Sequence, residues 1–215
     1  MSTQLVVVGA GGFGRETLDV VGAINDSAQP QAFTVLGVVD DAPSDANLER
    51  LLAREVTYLG GIDAWLASEM ATTPFAIAVG APTVRRRLAK RFGTAGAEAI
   101  TLVHPNAGVG SRCVMREGVV ICAGVQISTN VTLGAHAHIN PNVTIGHDTV
   151  LGAFVSVNPA ATLSGECTVG SGVLIGAASV VLQGLTVAAE STVGAAACVV
   201  RDVPSGATVK GVPAR

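Results

Sequence analysis

Two adjacent residues, His147 and Asp148, carry the side chains in this sequence that are best suited to proton transfer. A neutral imidazole has an ordinary pKa of about 6.5, so it can take a proton from an amine or a hydroxyl near neutral pH. A carboxylate close by can orient the ring and stabilise its charged form. The pair therefore indicates a general base, with an ordinary surface histidine as the alternative.

A glycine-rich segment at residues 9–14 (GAGGFG) is the second chemical signal. It follows an apolar run and precedes residues in which apolar side chains recur at helical spacing. A strand, a glycine turn and a helix in this order direct backbone N–H groups at a phosphate. Asp40 and Asp41 end a second predicted strand, where a ribose or a base would be contacted. Arg85, close to a third predicted strand, could reach a phosphate.

The glycine motif alone leaves three interpretations open: a nicotinamide dinucleotide site, a site for a nucleotide-linked sugar, and a purely structural turn. The residues up to about position 100 supply only one mononucleotide-binding half, which argues against a dinucleotide. A nucleotide-linked sugar is therefore favoured. The arginine-rich helix that begins near residue 82 has a second interpretation as a solvated surface.

A six-residue repeat dominates residues 103–204. An aliphatic side chain opens each of seventeen consecutive hexads from Val103 to Val199, with no insertion, and the fifth position is nearly always small or β-branched. A period of six matches neither a helix nor a strand. It matches a coil of three short runs per turn, which is a parallel β-helix. The composition, 49% apolar but only 3% aromatic, suits such a narrow interior.

The predicted fold class is therefore a small Rossmann-like α/β domain with a parallel sheet, followed by an all-β parallel β-helix. The predicted boundaries are residues 1–102 and 103–215. Proline and glycine after residue 203 end the repeat and are expected to form a cap over the last coil, whose open edge would otherwise invite aggregation.

Zinc binding is a competing use for the four histidines, His104, His136, His138 and His147. In a solenoid of this period, residues 18 apart stack on each other. His138 then stacks on Ser156, and His147 stacks on Thr129 and Gly165. Three imidazoles are not expected at one corner, so no metal is predicted.

Composition argues against several other classes. The net charge is −3, with no basic run beyond residues 85–87, so nucleic acid is not an expected partner. The apolar segment 4–10 is too short for a signal peptide, and no apolar stretch of 18 residues would span a membrane. The four cysteines lack CxxC spacing and are expected to be small core residues. A soluble, cytoplasmic protein is expected.

Several motifs together resemble the sialic-acid O-acetyltransferase family, which includes N-acetyltransferases of nucleotide-linked amino sugars. They are GAGGFGRE at 9–16, Asp40-Asp41, Ala78-Val79-Gly80 before the arginine helix, Ile-Gly-His-Asp at 145–148, and the tail GVPAR at 211–215. The resemblance covers essentially the whole chain. It implies a left-handed β-helix, a homotrimer, and acetyl-CoA as co-substrate in the groove between neighbouring solenoids.

The resemblance also implies roles for individual residues. His147 is the general base, paired with Asp148 where many members have glutamate. The coenzyme contacts would come from Ser156, Gly165, Gly176, Ala177, Gly194 and Ala195, with Gly211 and Pro213 close to the adenine end. The sugar nucleotide would contact Gly11, Gly12, Phe13, Asp40, Asp41 and Arg85. Some members carry histidine at the positions of Phe13 and Ser156, so the particular sugar stays open.

The favoured function is transfer of acetyl from acetyl-CoA to the amino group of a nucleotide-linked amino-deoxy sugar. Because no hexad is interrupted by a loop that could build an acceptor site, the α/β domain is expected to hold the acceptor. One alternative is O-acetylation of sialic acid or a related sugar. A second is a non-catalytic trimeric binder of a sugar nucleotide.

Overall fold

The structure, a computed structural model, describes residues 2–215. Within this range it divides into two compact units, with the boundary between Leu102 and Val103. The first unit is an α/β domain. Its elements are β1 (Thr3–Val8), α1 (Gly12–Ser27), β2 (Phe33–Val39), α2 (Asp45–Leu52), α3 (Ile62–Leu66), β3 (Phe75–Ile77) and α4 (Pro82–Thr94). The three strands form a parallel sheet in the order β2-β1-β3.

The central strand β1 is apolar on both faces because helices cover both faces of the sheet. Val6 and Val8 pack in one core cluster with side chains of α3 and α4, while Val7 packs in a second cluster with Leu18 of α1 and Leu51 of α2. A continuous apolar run is what a doubly covered parallel strand requires. The result is a three-layer α/β domain, as predicted.

The helix α2 was not predicted from the sequence. Its N-terminal signal is present, however, since the Ser44 hydroxyl accepts a hydrogen bond from the backbone N–H of Asn47, at 3.3 Å. A serine followed by an acidic first turn is a regular start for a helix.

The second unit is a parallel β-helix of about six turns with three two-residue strands in each turn. The strands of its first sheet are β4 (Leu102–Val103), β7 (Val120–Ile121), β10 (His138–Ile139), β13 (Ser156–Val157), β16 (Leu174–Ile175), β19 (Thr192–Val193) and β21 (Thr208–Val209). The second sheet contains β5 (Gly108–Val109), β8 (Gln126–Ile127), β11 (Thr144–Ile145), β14 (Thr162–Leu163), β17 (Val180–Val181) and β20 (Cys198–Val199). The third contains β6 (Val114–Met115), β9 (Thr132–Leu133), β12 (Val150–Leu151), β15 (Thr168–Val169) and β18 (Thr186–Val187).

The register confirms the predicted stacking of residues 18 apart. His138 pairs with Val120 on one side and with Ser156 on the other. From Ile121 to Val199, the aliphatic residues that open the hexads form one continuous buried core, whereas Val109 in the first coil is 40% exposed. The predicted fold class, an α/β domain followed by a parallel β-helix, is confirmed.

The glycine that often follows the aliphatic residue is required by close packing between coils, not by a left-handed bend. A Cβ at Gly134 would lie 2.4 Å from the backbone carbon of Gly152, so glycine there lets successive coils approach closely. The positive φ angles lie two residues later, and non-glycine residues such as Asn130 (φ 59°) and Asp148 (φ 59°) adopt them. Asn and Asp tolerate this left-handed conformation better than most residues.

The tail folds over the last coil. The backbone N–H and C=O of Cys198 bond to the C=O of Gly211 and the N–H of Ala214, and the Ala214 side chain joins the core. Among residues 2–215, no helix has the length and apolar character needed to cross a bilayer.

Candidate active site

His147 and Asp148 lie at a corner of the β-helix, between strands β11 and β12. Their side chains converge: the imidazole Nδ1 lies 2.7 Å from Asp148 Oδ2. The two side chains are 55% and 47% exposed. With Nδ1 bonded to the carboxylate, Nε2 is the ring nitrogen left to accept a proton from a substrate.

The backbone holds this corner against both neighbouring coils. The N–H of Asp148 donates to the C=O of Thr129, at 3.1 Å, and the C=O of His147 accepts from the N–H of Glu166, at 2.7 Å. The left-handed conformation of Asp148 turns the chain within one residue. The position of the pair is therefore set by main-chain bonds on two sides.

Gly165 lies against the imidazole ring. A Cβ at this position would be 2.6 Å from both Cε1 and Nε2 of His147, so only glycine leaves room for the ring as it is placed. The sequence suggested Gly165 as a coenzyme contact. In the structure, its nearest neighbour beyond the backbone is the candidate base.

Two further residues lie beside the His147–Asp148 pair, and the sequence analysis did not identify them. Asn130 Nδ2 donates to Asp148 Oδ1, at 2.9 Å. Glu166, exposed on the other neighbouring coil, has a carboxylate oxygen within 4.8 Å of ligand atoms of both His147 and Asp148. The rule that residues 18 apart stack would have found both, because 130, 148 and 166 form one column.

The hydrogen bond from Asn130, followed by the hydrogen bond with His147, lowers the pKa of the Asp148 carboxyl from its ordinary value. Asp148 is therefore ionised at neutral pH. An ionised carboxylate on Nδ1 favours the tautomer with the proton on Nδ1 and stabilises the imidazolium when Nε2 takes up a proton.

The other histidines lie elsewhere on the β-helix. His136 is buried and stacks on Phe154, with ring centroids 5.3 Å apart, and His138 is buried on β10. His147 instead lies on the corner that follows β11. The three imidazoles therefore lie at different places on the β-helix. This separation is what the spacing argument predicted.

The glycine turn of the α/β domain contains two kinds of glycine. Gly9 (φ 119°) and Gly14 are sterically required, since a Cβ would lie 2.8 Å from Ala78 O and 2.0 Å from Gly9 O, respectively. A Cβ on Gly11 or Gly12 would meet no described atom within 4 Å. Gly11 is the N-cap of α1, and within residues 2–215 no side chain caps this helix start. The glycine turn therefore lies at the start of α1, where a helix N-terminus favours an anion.

A cavity of about 250 Å³ lies beside this turn at the carboxyl ends of the three strands. Asp40 and Asp41 both line it. Their carboxylates also link segments of the domain by hydrogen bonds. Asp40 Oδ2 accepts from the N–H of Ala10, at 2.7 Å, and Asp41 Oδ1 accepts from the N–H of Ile62, at 2.8 Å. Phe13 is half-buried and packs against the core cluster beneath α1.

The placement of Arg85 corrects the expectation that it faces a phosphate. Its side chain is 0% exposed, and the guanidinium donates to the carbonyls of Val79 and Gly80, at 2.8 and 3.1 Å. Burial lowers its pKa to about 9. Arg87, one of the adjacent arginines, lines the cavity instead.

The residues suggested as coenzyme contacts lie at several separate places in the structure of the single chain. Gly165 lies on the corner of His147, while Gly176, Ala177, Gly194 and Ala195 lie on the preceding corner of later coils. Gly211 and Pro213 lie in the exposed tail. Ser156, on β13, is only 2% exposed, which corrects the expectation of an accessible contact there.

An α/β domain, a parallel β-helix and an exposed His–Asp pair define a two-domain protein of the hexapeptide-repeat class. Residues 4–92 match the family described as the PglD N-terminal domain. The chain is 29% identical over 144 residues to GDP-perosamine N-acetyltransferase of Escherichia coli O157:H7, covering 66% of this chain and 61% of that protein. It is 33% identical over 129 residues to UDP-N-acetylbacillosamine N-acetyltransferase of Bacillus subtilis strain 168, covering 56% of this chain and 51% of that protein. The chain thus spans just over half of the length of these curated relatives.

Among solved structures, the chain is similar to a histidine-to-asparagine mutant of perosamine N-acetyltransferase from Caulobacter crescentus, in complex with CoA and GDP-perosamine. The TM-score is 0.87 at 29% identity, over 99% of this chain and 95% of that one. The chain is thus similar in sequence to two named N-acetyltransferases of nucleotide-linked amino sugars and, over nearly its whole length, to a solved one, which agrees with the resemblance found in its sequence.

Proposed function

We propose that this protein transfers acetyl from acetyl-CoA to the amino group of a nucleotide-linked amino-deoxy sugar. The observation that carries the proposal is the 2.7 Å contact between His147 Nδ1 and Asp148 Oδ2, which leaves Nε2 of this half-exposed side chain to accept a proton. Two curated relatives are named as N-acetyltransferases of such sugars. These names favour an amine acceptor over a hydroxyl of sialic acid.

In the proposed mechanism, His147 acts as the general base. The sugar amine attacks the thioester carbonyl carbon while Nε2 accepts a proton from the amine nitrogen. The C–S bond then breaks, and the imidazolium returns this proton to the departing sulfur, which leaves as the free thiol. Asp148 keeps the ring in the productive tautomer and stabilises its charged form between the two steps.

The α/β domain would hold the nucleotide part of the acceptor. The uncapped start of α1 offers N–H groups to a phosphate, and the open space over Gly11 and Gly12 permits close approach. Arg87 would supply the positive charge assigned to Arg85 from the sequence. Asp40 and Asp41 line the same cavity and can each accept a further hydrogen bond from a ribose or a base.

The proposal includes a homotrimer in which a second copy closes the catalytic corner over acetyl-CoA. Its support is the exposure of both His147 and Asp148 in the single chain, since acyl transfer from a thioester benefits from exclusion of water. Gly165, the small residues on the preceding corner, and the tail are the proposed coenzyme contacts. Size measurement in solution by light scattering tests this part.

The test of the proposed function is thiol release from acetyl-CoA across a panel of acceptors. The panel contains UDP-4-amino-4,6-dideoxy sugars, GDP-perosamine and sialic acid. Turnover with one nucleotide-linked amino sugar is expected, and His147→Ala should lower kcat by about 10²-fold or more. His104→Ala, which removes another imidazole from the β-helix unit, should retain activity. A His147→Ala variant that kept more than about a tenth of kcat would exclude the base role.

A further inference from the structure

We infer that Asn130 is a positioning residue: it orients the Asp148 carboxylate so that this carboxylate accepts a hydrogen bond from the Nδ1–H of His147. The inference rests on the proposed function, in which His147 is the base. Asn130 itself would touch neither substrate, so its effect on the reaction would pass through Asp148.

The two oxygens of Asp148 are divided between two donors. Oδ1 accepts from Asn130 Nδ2, at 2.9 Å, and Oδ2 lies 2.7 Å from His147 Nδ1. The terminal torsion of an aspartate has a broad, shallow preference, so one contact alone fixes the carboxylate plane poorly. Two contacts on opposite oxygens define that plane and with it the orientation of the imidazole.

The charges around Asp148 explain why a neutral donor is useful here. The column of stacked corner residues runs Arg112, Asn130, Asp148, Glu166, each with a positive φ. A lysine or arginine at position 130 would pair with Asp148 and weaken its hold on the imidazolium. Glu166 places a second carboxylate on the other side of the pair. The Asn130 amide satisfies one oxygen of Asp148 and leaves its full negative charge to His147.

The left-handed backbone of Asn130 gives an ordinary reason for asparagine at this position, and the chain supplies a matched control for it. Asn142 occupies the same place in its hexad with φ 60°, against 59° for Asn130. Its side-chain oxygen lies over Gly124 of the neighbouring coil, not against a carboxylate. The two asparagines therefore share the backbone conformation and differ in the contact with Asp148.

Glycine at each position separates the two roles, because it keeps the left-handed backbone without strain and removes the amide. We expect Asn130→Gly to lower kcat roughly tenfold, with KM for both substrates within about twofold and an unchanged melting temperature. Asn142→Gly should leave kcat unchanged. An equal loss of kcat in both variants would overturn the inference.

A second readout does not depend on acetyl transfer. In the full-length protein without substrates, the ¹⁵N shifts of the His147 ring should report the Nδ1–H tautomer, and Asn130→Gly should increase the Nε2–H form. If no acceptor in the panel supports turnover, the proposed function fails, and the tautomer measurement still decides the role of Asn130.

A double-mutant cycle tests whether the effect passes through Asp148. In an Asp148→Asn background, Asn130→Gly should cause no further loss of kcat, since the carboxylate that it orients is gone. A full tenfold loss in that background, or an unchanged tautomer ratio in Asn130→Gly alone, would show that Asn130 does not act through Asp148.

Discussion

Gly165→Ala should remove activity while leaving the fold intact. The new Cβ would lie 2.6 Å from Cε1 and Nε2 of His147, whereas carbon atoms in contact are normally about 3.5–4.0 Å apart. The ring must therefore move by about 1 Å. The atom that gives way is the end of an exposed side chain, so the backbone can stay in place.

This displacement of the His147 ring is also large enough to impair catalysis. A shift of about 1 Å would stretch the 2.7 Å contact between His147 Nδ1 and Asp148 beyond hydrogen-bonding distance. Misplacement on this scale can cost about 10²-fold in rate. We therefore expect kcat to fall by about that factor, with the free energy of unfolding within about 0.5 kcal/mol of wild type.

Steady-state thiol release and urea denaturation of the same preparations measure both quantities. In a His147→Ala background, Gly165→Ala should have no further effect on kcat. A raised KM for acetyl-CoA with unchanged kcat would instead show that Gly165 acts only as a coenzyme contact. Wild-type kinetics, or a loss of activity that tracks a loss of stability, would refute the steric argument.

Three further predictions concern other parts of the molecule. Arg87→Ala should raise KM for the sugar nucleotide without changing the melting temperature. Arg85→Ala should destabilise the α/β domain by about 2–4 kcal/mol, because it removes a fully buried side chain that donates to two main-chain carbonyls. Ile145→Ala should lower the free energy of unfolding, measured with urea, by about 2–4 kcal/mol, because it opens a cavity in the β-helix core. Val150→Ala, on the exposed face, should lower it by less than about 0.5 kcal/mol. The pKa of the Asp148 carboxyl is lower in the folded protein than in the unfolded chain. Its ionisation therefore contributes stability that is complete above the unfolded pKa of about 3.9 and is lost as the pH falls through the folded value. Asp148→Asn should therefore weaken the dependence of the melting temperature on pH below about pH 4, as followed by circular dichroism.

Much of the candidate site could be predicted because the repeat is so regular. Once residues 18 apart are known to stack, His147 must lie between Thr129 and Gly165, as it does. The same rule would have placed Asn130 and Glu166 beside Asp148. What it could not provide is the direction of the side chains, and neighbouring His147 and Asp148 were as free to diverge as to converge.

The roles of the arginines on helix α4 could not be predicted from the sequence. Arg85 and Arg87 belong to one basic run, and their chemistry is identical. Successive residues of a helix point about 100° apart, so packing against the sheet decides which guanidinium is buried and which lines the cavity. No local pattern distinguishes them.

The architecture follows from the residue pattern alone, since a six-residue period with an aliphatic residue at its start has one regular solution, a coil with that residue inside. The pattern also indicated a type of chemistry, through a histidine beside an aspartate and a glycine turn before a helix. The tertiary structure decided the particular partners, which are Asp148 for the imidazole, Asn130 for Asp148, and Arg87 for the cavity. The physical reason is that periodicity constrains the backbone path, whereas contacts of side chains depend on torsions and burial that are set only when distant segments pack together.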